Sequence, residues 1–230
     1  MSLTLYDLSG TEGLRFSPYC WRAKLALAHK ELSADTVPVT FGEKDKLVFS
    51  GQDRVPVLVD GETTVPDSWN IACYLEDTYL DRPSLFGGEI GRAEALFLNN
   101  WADKVLNPGI FPLIVSDIGA HIPAADQVYF RSSREQRLGK TLEAAEADRE
   151  GLIEGFRRSL GPLRAVLAQQ KFVAGARPAY ADYIMFGSFQ WARLTSAYGL
   201  LEKEDPIFAW RNRMLGLFGG LAEAAGGYPL

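Results

Sequence analysis

The sequence predicts an α/β unit of βαβ–ββα order followed by an all-α unit, and three observations predict it. Leu3 to Val39 reads as strand, helix, strand; Arg54 to Tyr79 reads as a hairpin running into a helix; and no strand pattern survives beyond about residue 90. The expected division is 1–80 for the α/β unit and 91–230 for the helical one, with Pro83 and Gly87-Gly88 in the joint between them.

Leu3 to Leu8 begins as a strand with Leu3, Leu5 and Tyr6 available to cores. A glycine-bearing loop and the turn Arg15-Phe16-Ser17-Pro18 lead into a helix over 19–31, where Trp21, Leu25 and Ala28 are core-spaced. Thr36 to Val39 is then a second strand, parallel to the first, because a crossover of that length is no hairpin. Phe41 to Asp53 is a charged stretch read as a short helix and loop. Val57 to Val59, the turn Asp60-Gly61 and Glu62 to Val65 form the hairpin. Pro66 stops it, and Asp67-Ser68 stands where a helix N-cap belongs, ahead of Ile71, Ala72, Leu75 and Tyr79 at helical spacing. This order is that of a small thioredoxin-like unit. Further on, helices are expected at about 90–118, 127–149, 151–170, 181–199 and 205–219. The charged run Ser132 to Glu150 reads as a solvated helix face, and Asp182 reads as a folding residue near a helix start that lacks a capping hydroxyl, since Ala179 stands there.

Two places in this frame invite a ligand. Proline cannot donate to a sheet ladder, so Val55-Pro56 at the head of a strand suggests a cis bond that would turn the Val55 backbone outward for an extended ligand. The helix start at Asp67-Ser68 offers N–H groups, a hydroxyl and a carboxylate, which suit a ligand carrying both a carboxylate and an ammonium. Together they would grip one amino-acid end and one peptide bond.

Composition narrows the function classes. With 47% hydrophobic residues, 23% charged and a net charge of −5, the chain reads as a soluble globular protein, and the lack of basic blocks argues against nucleic acid. No apolar run approaches the ~20 residues of a bilayer span, and the N-terminus lacks a signal-peptide pattern, so a cytoplasmic protein with no membrane partner is expected. Cys20 and Cys73 carry no metal spacing and are expected as reduced thiols. No metal is expected, and His29 and His121 are read as structural or surface residues.

Arg54-Val55-Pro56 followed by Asp67-Ser68 resembles the glutathione-binding signature of the soluble glutathione S-transferases, with Asp67 one methylene shorter than the usual Glu or Gln. Ser17-Pro18-Tyr19-Cys20-Trp21-Arg22 resembles the S-P-x-x-W-R loop of bacterial glutathione-dependent β-aryl etherases and their fungal serine-type relatives, and Ser17 stands where the zeta-type transferases have their serine. The likeness runs from Leu3 to about Trp210. It implies the glutathione transferase fold and glutathione as co-substrate. It also implies a homodimer and, as partner, a small hydrophobic or aromatic electrophile, which could be a β-aryl ether.

Glutathione chemistry needs the thiolate, and a thiol pKa near 8.5 leaves only a few per cent ionised at pH 7. Lowering it by about two units corresponds to roughly 2.7 kcal/mol, which a hydroxyl donor at a helix N-terminus can supply. Ser17 is the candidate catalytic residue. Arg54, Val55, Pro56, Asp67 and Ser68 are the candidate glutathione-binding residues, and Tyr19 and Phe111 the candidates for the acceptor pocket. Two other readings stay open: a non-catalytic carrier of glutathione or apolar ligands, and a thiol transferase working through Cys20 in the first turn of the helix, as the omega-type and beta-type enzymes do.

Overall fold

The computed structural model describes residues 3–229. Strand β1 (Leu3–Leu8), helix α1 (Pro18–His29) and strand β2 (Ala34–Val39) come first, and β1 pairs with β2 in parallel from Leu3 opposite Ala34 to Leu8 opposite Val39. Strand β3 (Val57–Asp60) lies antiparallel to β1 on its other side and β4 (Thr63–Pro66) antiparallel to β3, giving the order β2-β1-β3-β4. Leu5 faces Leu58 across the two central strands, and both side chains are buried. The expected short helix after β2 is a 3-10 segment at Lys44–Ser50, ended by Gly51 at φ 72°.

Helix α2 (Ser68–Thr78) follows, and from there the elements are helical: α3 (Glu89–Trp101), α4 (Asn107–Gly119), α5 (Gln127–Leu138), α6 (Leu142–Ala147), α7 (Arg149–Ser159), α8 (Gly161–Leu167), α9 (Tyr180–Thr195) and α10 (Pro206–Leu215). Among the described residues no helix is long and apolar enough to cross a membrane. Three expected helices are each split; the span 205–219 breaks at Gly216, between α10 and a short turn at Leu217–Gly220. The span 127–149 breaks where Gly139 turns left-handed at φ 69° and Thr141 restarts the chain by accepting from the Ala144 N–H at 3.2 Å. The span 151–170 breaks ahead of Pro162, which sits in the first turn of α8. Between α3 and α4 a π-helical turn at Ala102–Leu106 widens the helix by a residue.

Helix α9 is the spine of the helical part. Nearly every side chain on it is buried, and it packs along α1. Gly187 makes that approach possible, since a Cβ there would stand 2.5 Å from the Pro18 carbonyl oxygen. At its N-terminus Asp182 accepts from the N–H groups of Val173, Ala174 and Ala179 and from Trp210 Nε1 at 2.9 Å, so the carboxylate does structural work without a capping hydroxyl. Helix α1 is buried almost all round. Ala28, expected in the core, is half-exposed, while Arg22 and Lys30 are buried, with ion pairs to Asp103 at 2.8 Å and Glu76 at 2.6 Å. A charged residue goes inside only when paired, and both partners lie on elements distant in sequence.

Candidate functional site

Ser17 is the N-cap of α1, in extended conformation, and its Oγ accepts from the Cys20 N–H at 3.3 Å. Its carbonyl accepts from Trp21 N–H at 3.1 Å, and Pro18 in the first position has no N–H to satisfy. The cap therefore occupies a lone pair on Oγ and leaves the hydroxyl proton for a second acceptor. Indole Nε1 of Trp21 donates to the Arg15 carbonyl at 2.8 Å and fixes the turn that carries Ser17.

The Val55-Pro56 peptide bond is cis. Pro56 accepts from the Asp67 N–H at 3.1 Å, tying the loop before β3 to the start of α2. Asp67 caps α2 with Oδ1, which accepts from Trp69 N–H at 2.8 Å and Asn70 N–H at 3.2 Å. Its backbone sits at φ 76°, ψ 138°, a conformation that costs a non-glycine residue about 1–3 kcal/mol and is held in place by such bonds. Behind it Ser68 is buried, and its carbonyl accepts from the Tyr180 hydroxyl of α9 at 2.7 Å.

A cleft of about 450 Å³ opens between the loop before β3, the start of α1, and helices α4, α5 and α9. Ser17, Tyr19, Arg54, Val55 and Phe111 all line it; Pro56, Asp67 and Ser68 do not, and join it only through the backbone bond at Pro56. Phe111 is buried and stacks on Trp191, with ring centroids 6.4 Å apart and planes 19° apart. Burial pushes the Tyr19 phenol up, with the charge of Asp103 adding, so it stays protonated and can donate. The π-helical turn places Asn107 beside it, with Nδ2 3.5 Å from the Tyr19 hydroxyl, while the buried Oδ1 has no partner among the described residues and is left as an acceptor on the cleft wall. A larger hollow, about 840 Å³ and bounded by Trp21, Lys24, His121 and Tyr228, contains none of the candidate residues.

Sequence comparison places these residues in a family. Residues 13–83 match the glutathione S-transferase N-terminal domain and residues 93–212 the glutathione S-transferase C-terminal domain. The chain belongs to the glutathione S-transferase family. Among relatives of this transferase, glutathione S-transferase U28 of Arabidopsis thaliana is 24% identical over 204 residues, 86% of this chain and 80% of that protein. Among solved structures, glutathione transferase GSTFuA3 from Phanerochaete chrysosporium superposes with a TM-score of 0.75 at 27% identity, covering 100% of this chain and 99% of that one. A glutathione S-transferase of Ceriporiopsis subvermispora, solved in complex with glutathione, shares the fold with a TM-score of 0.75 at 21% identity over 100% of this chain and 99% of that one.

Within this transferase fold the thiols are poorly placed for chemistry. Cys20 is fully buried, and burial pushes its thiol well above the usual range, with the Asp7 carboxylate adding to the rise. Cys73 is half-buried, and burial raises its thiol too. His29 bridges the two parts of the chain, with Nδ1 2.6 Å from the Tyr183 hydroxyl and Nε2 2.9 Å from the Ser84 carbonyl. Among the described residues no group of three or more His, Cys, Asp or Glu is gathered as for a metal ion. Sequence reasoning missed Trp191, Asn107, Arg134 and Arg137 as cleft residues; the two arginines sit in the charged run that reads as solvated surface.

Proposed function

We propose that this protein is a glutathione transferase in which the Ser17 hydroxyl holds the glutathione thiolate for attack on an aromatic electrophile. The observation that carries the reading is Ser17 itself, whose Oγ takes the Cys20 N–H and has its proton to give, at a cleft walled by Tyr19, Phe111 and Trp191. Family membership and the glutathione-bound Ceriporiopsis relative support the choice of co-substrate. In this reading residues 1–80 bind glutathione and residues 91–230 supply the acceptor pocket. Arg54, 88% exposed, meets the glycyl carboxylate; Val55 and Pro56 present backbone to the cysteinyl unit; Asp67 Oδ2 and the first turn of α2 at Ser68 take the γ-glutamyl end.

A donor to the thiolate lowers its pKa by stabilising the charged form, and hydrogen bonds to charged groups contribute about 1.5–3 kcal/mol. The acceptor lies among Tyr19, Phe111 and Trp191. With a β-aryloxy ketone the thiolate sulfur attacks the carbon bearing the aryloxy group. A C–S bond forms, the C–O bond breaks, and the phenolate leaves with the bonding pair and is protonated by solvent. Buried Cys20 argues against the thiol-transfer route. Exposed Ile90 and Phe97, seven residues apart on α3, support a homodimer, tested by mass in solution. The glutathione requirement fits the cytoplasmic location expected from the sequence.

The test is mass spectrometry of the products formed from glutathione and a β-aryloxy ketone, with Ser17→Ala alongside. Phenol and glutathionyl ketone, formed about 10- to 150-fold more slowly by the variant, support the serine mechanism. Equal rates sink it. Glutathione binding without product on this or any halogenated or conjugated acceptor would make the protein a carrier.

A further inference from the structure

The charged residues on the cleft wall are four cations, Lys44, Arg54, Arg134 and Arg137, against the single carboxylate of Asp53. That carboxylate is already taken, by Lys44 at 3.0 Å and Arg54 at 3.7 Å. The cleft is a positive spot on a chain of net charge −5, and a low-dielectric recess focuses such a field. Lys44, Asp53 and Arg54 lie on the segment leading to the Val55-Pro56 bond. The two other cations belong to α5, the opposite wall, where Phe130, Arg134 and Arg137 share one helical face.

The same helix shows how an arginine on its outer side is handled. Arg131 pairs with Glu135 at 2.8 Å and Glu143 at 2.7 Å. For Arg134 and Arg137 no carboxylate within ion-pair distance exists among the described residues; the titratable groups bearing on Arg134 are Tyr129 and Arg137 itself. Each guanidinium is instead laid on aromatic rings, Arg137 4.4 Å from the Phe111 centroid and Arg134 4.7 Å and 4.9 Å from those of Phe41 and Phe130. Ring faces orient a guanidinium without neutralising it; Arg134 gives Nη1 to the uncharged Ser133 hydroxyl at 2.8 Å, and its other N–H groups, with those of Arg137, remain to meet a planar anion. Two like charges one turn apart repel each other, and an anion between them converts that repulsion into attraction. Arg134 is also partly desolvated, and burial pulls its guanidinium down, so a counter-charge there is worth more than on open surface.

We propose, taking this cleft as the acceptor site of the transferase, that the acceptor is an aromatic electrophile bearing a carboxylate or sulfonate, which Arg134 and Arg137 hold while its ring lies among Tyr19, Phe111 and Trp191. Selectivity among electrophiles then resides in α5, and a neutral aromatic of the same shape is the poorer substrate.

Two measurements on the full-length protein test this, each comparing wild type with Arg134→Gln/Arg137→Gln and with Arg131→Gln as a control on the outer face. The first is fluorescence titration with 8-anilinonaphthalene-1-sulfonate and its neutral analogue N-phenyl-1-naphthylamine. Wild type and the control should prefer the sulfonate by about tenfold or more, and the double variant should lose that preference while binding the neutral probe within about twofold. Equal binding of the two probes by wild type, or a preference that survives in the double variant, overturns the proposal. The second is turnover of 4-chloro-3-nitrobenzoate against its methyl ester, where the thiolate forms a C–S bond and chloride leaves with the C–Cl pair. The double variant should lose kcat/KM on the benzoate by about tenfold or more and on the ester by under about twofold, with the KM for glutathione unchanged. A raised KM for glutathione with unaltered selectivity overturns it by assigning the cations to glutathione. If neither compound turns over in wild type, the transferase reading is what fails, and the naphthyl pair alone decides whether α5 grips an anion.

Discussion

The α-carbon of Gly187 in α9 lies so close to the Pro18 carbonyl in α1 that a Cβ there would stand 2.5 Å from the oxygen. The contact is backbone against backbone, so neither side yields by a rotamer change. Pro18 follows Ser17 directly, and any shift of α1 moves the proposed thiolate donor with it.

Gly187→Ala should therefore both destabilise and slow the protein. Overpacking of this kind costs about 1–3 kcal/mol, read as a lower thermal midpoint, and kcat should fall more than the KM for glutathione rises. Gly151→Ala, at a helical glycine of α7 with open space around it, is the control and should be neutral or slightly stabilising. Wild-type activity in a folded Gly187→Ala protein would show that the position of α1 is not critical to the chemistry.

Asp67 separates folding from binding. One carboxylate oxygen caps α2, and the amide oxygen of Asn can do the same. Asp67→Asn should keep the melting temperature near wild type yet weaken glutathione binding by about tenfold or more, since the charge proposed to meet the ammonium is gone. Asp67→Ala loses the cap as well and should cost a further ~1 kcal/mol of stability. Calorimetric titration with glutathione decides it, and unchanged affinity in Asp67→Asn removes Asp67 from the binding site.

The residues that were legible in the sequence share a property: their chemistry is local. Pro56 announces itself by its missing N–H, and Ser17 and Asp67 by standing immediately before helices, so each can be read from a few neighbours. The four-strand order follows from crossover length and hairpin spacing in the same way. Arg134 and Arg137 had no such signal. Whether an arginine in a charged run faces water or a cleft depends on where the helix lies, and here Gly139 and Thr141 end α5 and reset the phase of what reads as one long helix. The wide turn at Ala102–Leu106, which sets Asn107 beside Tyr19, leaves no mark in composition. The burial of Arg22 and Lys30 has no local signal either, because the carboxylates that let them be buried lie in the π-helical turn and on α2.

Cys20 gives a prediction with the opposite sign to that for Ser17. Its sulfur is enclosed and its thiol is pushed up by burial, so removing it takes away packing but no nucleophile. Cys20→Ala should lower stability by about 1 kcal/mol through the small cavity while leaving turnover of carbon electrophiles within about twofold. Activity on mixed disulfides in the wild type, abolished by this substitution and spared by Ser17→Ala, would instead restore the thiol-transfer route.

The His29 bridge should make the joint between the two parts sensitive to mild acid. The Ser84 carbonyl can only accept, so Nε2 carries the hydrogen, and in the neutral ring Nδ1 then accepts from the Tyr183 hydroxyl. Protonation turns Nδ1 into a donor, so the buried Tyr183 hydroxyl must turn over to accept and aim its own proton where no other hydrogen-bond partner stands among the described residues. Burial accordingly holds the imidazole below its ordinary pKa of 6.5. A histidine depressed in the folded state binds its proton more readily when unfolded, so its contribution is complete above pH 6.5 and is lost as pH falls from there through the folded value. The thermal midpoint of the wild type should fall over that range more steeply than that of Tyr183→Phe, in which the donor conflict is gone. Parallel pH profiles for the two proteins would mean that the bridge does not couple protonation to stability.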